Sequence, residues 1–250
     1  MSRQTNMSTT NTATRKLKML VARLKPRLRP YRQIVQRFRA EGLNRHALAL
    51  GRTTFSQFGE DQFLAELFAD KPSGFYVDVG AFHPFRWSNT CLLYQRGWTG
   101  LNIEPDPHAL TLFNRYRRRD LNIQVAISST PGEVNFACLG EYGGIEDDGY
   151  IWADREGERI TVIAQRLATV LEERLPRGQT VDLLDVDCEG RDLDVLQSND
   201  WTRFRPTVVL AEAHGEDEDA RLTAFMDSVG YEDAGLFLFT HAFTERVAET

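Results

Sequence analysis

From residue 53 onward, short and nearly all-apolar runs alternate with stretches in which apolar residues recur at helical spacing. Phe63, Leu64, Leu67 and Phe68 predict a helix over 59–68. The turn Pro72-Ser73-Gly74 separates it from Phe75-Tyr76-Val77-Asp78-Val79-Gly80, a buried strand closed by glycine. Helices are expected over 88–96, 107–119, 166–174, 193–199 and 218–229. Strands are expected over 99–104, 123–127, 132–139, 181–186 and 207–212, with a terminal strand or hairpin over 235–240. Residues 141–157, rich in glycine and acids, read as a loop. Strands that are apolar throughout, rather than alternating, are buried on both faces. The pattern therefore predicts an α/β fold, a Rossmann-like, doubly wound and mostly parallel sheet with right-handed crossovers.

The first 52 residues read differently. Residues 1–12 are polar and expected to be disordered. Over 13–40, Leu17, Leu20, Val21, Leu24, Ile34, Val35 and Phe38 stand at helical spacing among arginines, interrupted by Pro26 and Pro30, which predicts two short basic amphipathic helices. Charge divides at the same boundary. Residues 1–52 carry thirteen Lys and Arg against the single acid Glu41, or +12, leaving 17 basic and 35 acidic residues, or −18, in the remainder of a chain whose net charge is −6. The expectation is a basic helical extension (1–52) followed by one domain (53–250), since 250 residues are too few for two enzymatic domains.

An acidic body is a poor nucleic-acid surface, and no nucleic-acid partner is expected for it. The basic arm fits a solvated extension, a peripheral contact of residues 13–40 with anionic membrane or a membrane-bound partner, or RNA. No stretch reaches the roughly 18 apolar residues of a transmembrane helix. The longest apolar run of the arm, Met19-Leu20-Val21-Ala22, is short of a secretory core. Cys91, Cys138 and Cys188 are widely spaced and odd in number, which suits a reducing compartment and neither a disulfide framework nor structural zinc. A cytoplasmic location is expected, at the inner face of the membrane if the arm binds lipid.

In a doubly wound sheet, ligands gather at the carboxyl ends of the strands. Those ends deliver Asp78, Gly80, Ala81 and His83, then Glu104, Ala126, Asp187 with Glu189, and Glu212 with His214. A glycine closing the first strand allows close backbone approach of a ligand. An acid ending the second strand, 24 residues later, is placed to accept both hydroxyls of a ribose, in NAD or in S-adenosylmethionine alike. A pyrophosphate needs the three glycines of G-x-G-x-x-G, and after Gly80 this segment has no further glycine, with Phe82 where the second would stand and Pro84 stiffening the turn. A nucleoside cofactor without phosphates fits better, with an NAD-dependent oxidoreductase as the alternative.

The segments FSQFGEDQFL (55–64), FYVDVGAFHPFRWSNTCLLYQRGWTGLNIEPDP (75–107), and VDLLDVDCEGRDLDVLQSNDW with RPTVVLAEAH (181–214) resemble the FkbM-like family of S-adenosylmethionine-dependent methyltransferases over about residues 53–240. The resemblance implies a class I methyltransferase sheet that binds S-adenosylmethionine. Asp78, Gly80 and Ala81 match its first motif, and Glu104 matches the ribose-holding acid with Pro105 and Asp106 behind it. Asn89 lies in the S-N-T stretch near the methionine end of the cofactor, and Gln57 and Asp61 match a segment closing over the site. Asp187, Glu189 and Gly190 match the D-x-E-G after the fourth strand. Asp185 departs from the pattern, standing where similar sequences more often carry Lys or Ser.

The resemblance and the acidic, polar mouth together imply an O-methyltransferase acting on a hydroxyl of a sugar, a glycan or another polyhydroxylated metabolite, as in polysaccharide modification. A scaffold with a degenerate cofactor site is a further alternative. For deprotonating the acceptor, two devices are open. His214 serves as general base, or Asp187, Glu212 and His214 hold a divalent cation such as Mg²⁺ that acidifies the hydroxyl. His83 lines the cofactor pocket or orders its own turn.

Overall fold

The computed structural model describes residues 54–147 and 154–246. The basic extension, with its two expected helices and its expected membrane or RNA contacts, lies outside the described residues. Phe75–Val79 (β1) is buried at every position, as its apolar sequence requires of a central strand. It pairs in parallel with Thr99–Ile103 (β2) on one side and Leu183–Val186 (β8) on the other. Leu121–Ile123 (β3) extends the sheet beyond β2, and Val208–Glu212 (β9) extends it beyond β8, both parallel. Thr240–Glu245 (β11) adds antiparallel to β9 and carries Tyr231–Phe237 (β10) at the edge, completing seven strands in the order β10-β11-β9-β8-β1-β2-β3. The chain steps outward from β1 to β3, then returns to β8 on the opposite side of β1. That reversal opens a crevice above the carboxyl ends of β1 and β8.

Strand alternation decides what each face receives. Val77, Val79, Leu184 and Val186 pack with Leu167–Arg174 (α4), Asp192–Gln197 (α5) and Glu216–Ser228 (α6) through Val170, Leu171, Val195, Leu222 and Met226. Tyr76 and Leu183 face the other way, under Glu60–Leu67 (α1) and Cys91–Gln95 (α2), where Phe63, Leu64 and Leu93 cover them. Asp78 and Asp185, in register across β1 and β8, share the parity of Tyr76 and Leu183 and lie on this second face. Pro107–Tyr116 (α3) starts on an Asp106 cap whose carboxylate accepts from His108 N, with Pro107 as the first helical residue.

The expected doubly wound sheet is present, and a second sheet stands beside it. The strand expected over 123–127 is two strands: β3 in the large sheet, and Ala126–Ile127 (β4) in a four-stranded sheet ordered β4-β7-β5-β6. Its other members are Gly132–Cys138 (β5), Gly144–Ile145 (β6) within the expected loop, and Glu158–Gln165 (β7), which the sequence pattern did not reveal. β7 buries Val162 and Ala164 against Phe136 and Ile145 while Ile163 is 51% exposed. An antiparallel strand wet on one face alternates, and lacks the continuous apolar run that marks the buried strands. Likewise, the terminal element expected over 235–240 is a hairpin of β10 and β11 with its turn at Leu238 and Phe239. Among the described residues no helix is long and apolar enough to cross a membrane.

Candidate functional site

The crevice is set by one glycine. Gly80 follows β1 with φ +78°, and a Cβ there would stand 2.0 Å from the carbonyl oxygen of Asp187. Asp187 N in turn donates to Val79 O at 3.0 Å, so the loops after β1 and β8 touch through their backbones. Gly80→Ala adds this overlap to a left-handed strain of about 1–3 kcal/mol. A thermal unfolding midpoint several degrees below that of the wild type is expected, and an unchanged midpoint would contradict the contact.

Glu104 follows β2 on the same edge and is buried. Phe82 N donates to its Oε2 at 2.7 Å and Asp106 N to its Oε1 at 2.8 Å, which fixes the carboxylate at the crevice. Burial pushes its pKa up to about 7, the two N–H donors working against that rise. The loop that reaches Glu104 carries two non-glycine residues in left-handed backbone, Phe82 at φ 51° and Trp87 at φ 56°. Both line the crevice.

Further carboxylates crowd the floor. Asp78 accepts from Thr90 Oγ1 at 2.6 Å, and burial raises its pKa to about 6 against that bond and the pull of Arg117. Asp185 accepts from Asn89 Nδ2 at 3.1 Å, and burial with the neighbouring Asp78 holds it well above the usual carboxylate range. Asp187 is also pushed well up, by burial and then by Glu212, Asp192 and Glu189. Among the described residues, Asp78, Glu104, Asp106, Glu141, Asp185, Asp187 and Glu189 line the crevice against a single guanidinium, that of Arg191. Such a group of acids is costly to keep charged unless a positive ligand neutralises it. One apolar wall completes the cleft: Ile103, Ala109 and Val125 from the large-sheet side meet Phe136 and Ile145 of the second sheet.

Of the residues expected at the site, Gln57, Asp78, Gly80, Ala81, Asn89, Glu104, Pro105, Ala126 and Asp187 all line this cleft. Asp61 is not part of its lining. It is fully buried and accepts from Thr54 Oγ1, Phe55 N and Ser56 Oγ, tying down the segment before α1. His83 is spent within its own turn, where Nδ1 accepts from Phe85 N at 3.1 Å and Arg86 N at 3.0 Å. Burial and Arg86 lower its pKa.

The expected cation triad is not arranged as a metal site among the described residues. Asp187 lines the crevice and Glu212, near enough to raise the Asp187 pKa, lines an adjoining cleft of about 240 Å³ between α5 and α6 that shares Arg191 with it. His214 lines neither. Its Nε2 lies 3.3 Å from Glu212 Oε2 and its ring 5.0 Å from that of Phe239. Among the described residues no group of three or more His, Cys, Asp or Glu is arranged to hold a metal ion. The pairing with Glu212 raises the pKa of His214. A histidine so paired, outside the cleft, is poorly placed as the expected general base.

Sequence reading missed Phe136, Ile145, Trp87, Gly140, Glu141 and Arg191 as lining residues. Phe136 and Ile145 arrive on the unexpected second sheet, so no spacing in the chain announces them. Asp192 was missed too. It accepts from Glu212 N at 2.9 Å and Cys188 N at 3.2 Å, joining the loops after β8 and β9, and burial raises its pKa to about 8.

Residues 78–232, more than half of the chain, match the model of the methyltransferase FkbM domain. No curated protein matches the sequence significantly. Among solved structures, the chain is similar to a TehB-like SAM-dependent methyltransferase from Corynebacterium glutamicum ATCC 13032 Kitasato. The two are 15% identical, over 86% of this chain and 97% of that one, with a TM-score of 0.39. A likeness that loose carries no argument about the site.

Proposed function

This chain belongs to the FkbM-domain methyltransferases and is an S-adenosylmethionine-dependent enzyme, and from that premise we propose that it methylates a hydroxyl of a sugar, a glycan or another polyhydroxylated metabolite. The observation that carries the reading is the charge of the cleft, where seven carboxylates among the described residues face one guanidinium. A sulfonium nucleoside with its amino-acid ammonium is attracted there. The pyrophosphate of a dinucleotide is repelled, which counts against the oxidoreductase alternative.

When bound, S-adenosylmethionine supplies a methyl group on a positively charged sulfur, which leaves as S-adenosylhomocysteine. In this reading Glu104 accepts the ribose hydroxyls with the lone pairs its backbone donors leave free. Phe136 and Ile145, which line the cleft, would lie against the cofactor's base. Asp78 and Asp185, held by Thr90 and Asn89, would face its ammonium. Asp187, which lines the cleft, would in its ionised form accept the proton of the acceptor hydroxyl as the oxygen bonds to the methyl carbon and the carbon–sulfur bond breaks. A polar mouth of carboxylates and the Arg191 guanidinium suits an acceptor rich in hydroxyls.

The test begins with calorimetric titration of S-adenosylhomocysteine and of NAD. Only the former should bind, and binding of NAD alone would overturn the reading. Labelled methyl transfer to glycans and glycolipid precursors then identifies the acceptor. With it, Asp187→Asn should lose roughly 10²–10⁴-fold in turnover with near-normal S-adenosylhomocysteine affinity. His214→Ala should retain activity, and wild-type turnover should persist in EDTA. Full activity in Asp187→Asn would remove that residue from the chemistry.

A further inference from the structure

Arg117 follows α3 and its side chain has no solvent exposure, an unusual place for a guanidinium. Burying that charge is tolerable only if its donors are saturated. They are, and most of them reach one loop. Nε and Nη2 donate to Pro84 O at 3.1 and 2.9 Å, and Nη2 also donates to Ser88 Oγ at 2.9 Å. Longer contacts of 3.5 Å reach Thr90 O and Thr90 Oγ1. On the other side Nη1 donates to Tyr76 OH at 2.9 Å, and Tyr76 OH donates to Asp120 Oδ2 at 2.5 Å. The guanidinium lies over the ring of Tyr94, 4.8 Å from its centroid.

The loop gripped in this way runs from Pro84 to Thr90, and three consecutive residues in it, Trp87, Ser88 and Asn89, line the cleft. Trp87 sits there in left-handed backbone, a strain that persists only where the surroundings enforce it. The far end of the loop is wired to the cleft floor, Asn89 to Asp185 at 3.1 Å and Thr90 to Asp78 at 2.6 Å. A residue whose task was only to join α3 to the sheet would bond to α3 and the sheet. Arg117 does reach the sheet, through Tyr76 OH and an ion pair with Asp120 at 3.9 Å, but Nε and Nη2 are spent on Pro84 O and Ser88 Oγ of the loop.

We propose that Arg117 is a positioning residue of the methyl-transfer site, a buried clamp that holds the Pro84–Thr90 loop so that Asn89 and Asp78 meet the amino-acid end of the cofactor. The proposal rests on the cofactor reading. The fork geometry matters as well as the charge, because a planar guanidinium spans Pro84 O, Ser88 Oγ and Tyr76 OH at once and an ammonium does not.

Charge and geometry separate in the test, calorimetric titration of S-adenosylhomocysteine from pH 5 to 9 on wild type, Arg117→Lys, Arg117→Met and Ser88→Ala. Circular dichroism checks folding of each. Arg117→Lys keeps the charge and loses the fork, so its affinity should fall on the order of ten-fold or more, as expected for a misplaced binding loop, with the pH profile in place. Arg117→Met loses the charge as well. Asp78 then faces Asp185, Glu104, Asp120 and Tyr76 without the Arg117 cation, and the acidic limb of binding should move to higher pH. Ser88→Ala removes one loop contact and leaves Arg117 in place, with an expected several-fold loss; it keeps the proposal testable if Arg117→Met does not fold. A purely structural arginine would lower the melting temperature and leave the affinity and pH limb of folded variants where they are, and that result would overturn the proposal. Absence of S-adenosylhomocysteine binding by the wild type would instead overturn the cofactor reading on which it stands.

Discussion

Replacing Glu104 with alanine is expected to weaken S-adenosylhomocysteine binding by roughly ten- to a hundred-fold in a protein that still folds. The carboxylate is fixed by Phe82 N and Asp106 N and lines the cleft at the end of β2. Losing a buried acceptor for charged or paired hydrogen bonds typically costs about 1.5–3 kcal/mol, which corresponds to that loss of affinity. The substitution also frees two backbone donors, so the loop after β1 loosens, and Glu104→Gln, which keeps one acceptor oxygen, should fall between the wild type and Glu104→Ala. Calorimetric titration of the three proteins decides it. An unchanged affinity in correctly folded Glu104→Ala would remove the residue from the cofactor site.

The second large effect is on stability against pH. Burial raises the pKa of Glu60 and Glu104 from 4.5 to about 7, of Asp78 from 3.8 to about 6, and of Asp192 from 3.8 to about 8. A carboxyl whose folded pKa is raised binds a proton more tightly folded than unfolded, so stability is greatest below the unfolded pKa and is lost as pH climbs through the folded one. The window is therefore about pH 4 to 8. His214, with its raised pKa, acts in the same direction above pH 6.5, and His83, lowered by burial, acts against it. A tenfold difference in proton affinity between the folded and unfolded chain, at one group, is worth about 1.4 kcal/mol, or a few degrees in a domain of this size. The ligand-free protein should melt several degrees lower at pH 8.5 than at pH 5.5. S-adenosylmethionine, bringing a sulfonium and an ammonium to ionised carboxylates, should raise the melting point more at pH 8.5 than at pH 5.5. Thermal unfolding at both values, with and without the cofactor, is the measurement. A ligand-free midpoint that rises with pH would contradict the burial of these acids.

The sequence by itself determined the large sheet, because β1, β8 and β9 are buried on both faces and are apolar but for Asp78, Asp185 and the closing Glu212, a pattern that needs no knowledge of their partners. It also determined the pairing of Gly80 with Glu104. Consecutive parallel strands bring their carboxyl ends to one edge, and 24 residues is the length of one crossover. The second sheet was not legible: β7 is short of a continuous apolar run and exposes even the apolar Ile163, and the wall it supports, with Phe136 and Ile145, exists only once β5, β6 and β7 have paired. Tertiary structure alone decided how the acids and histidines are used. Asp61 and Asp187 have the same side chain, yet one caps the backbone before α1 and the other lines the cleft. Glu212 ends the strand beside Asp187 and acts on its charge, but its carboxylate pairs with His214, two residues on, which does not line the crevice. In the sequence Arg117 is one of four arginines closing the helix expected over 107–119, and only the fold brings its guanidinium to Pro84 O and Ser88 Oγ of the cleft loop. Apolar burial follows from composition along the chain, whereas the role of a polar group depends on which donor or acceptor the fold brings within about 3 Å of it.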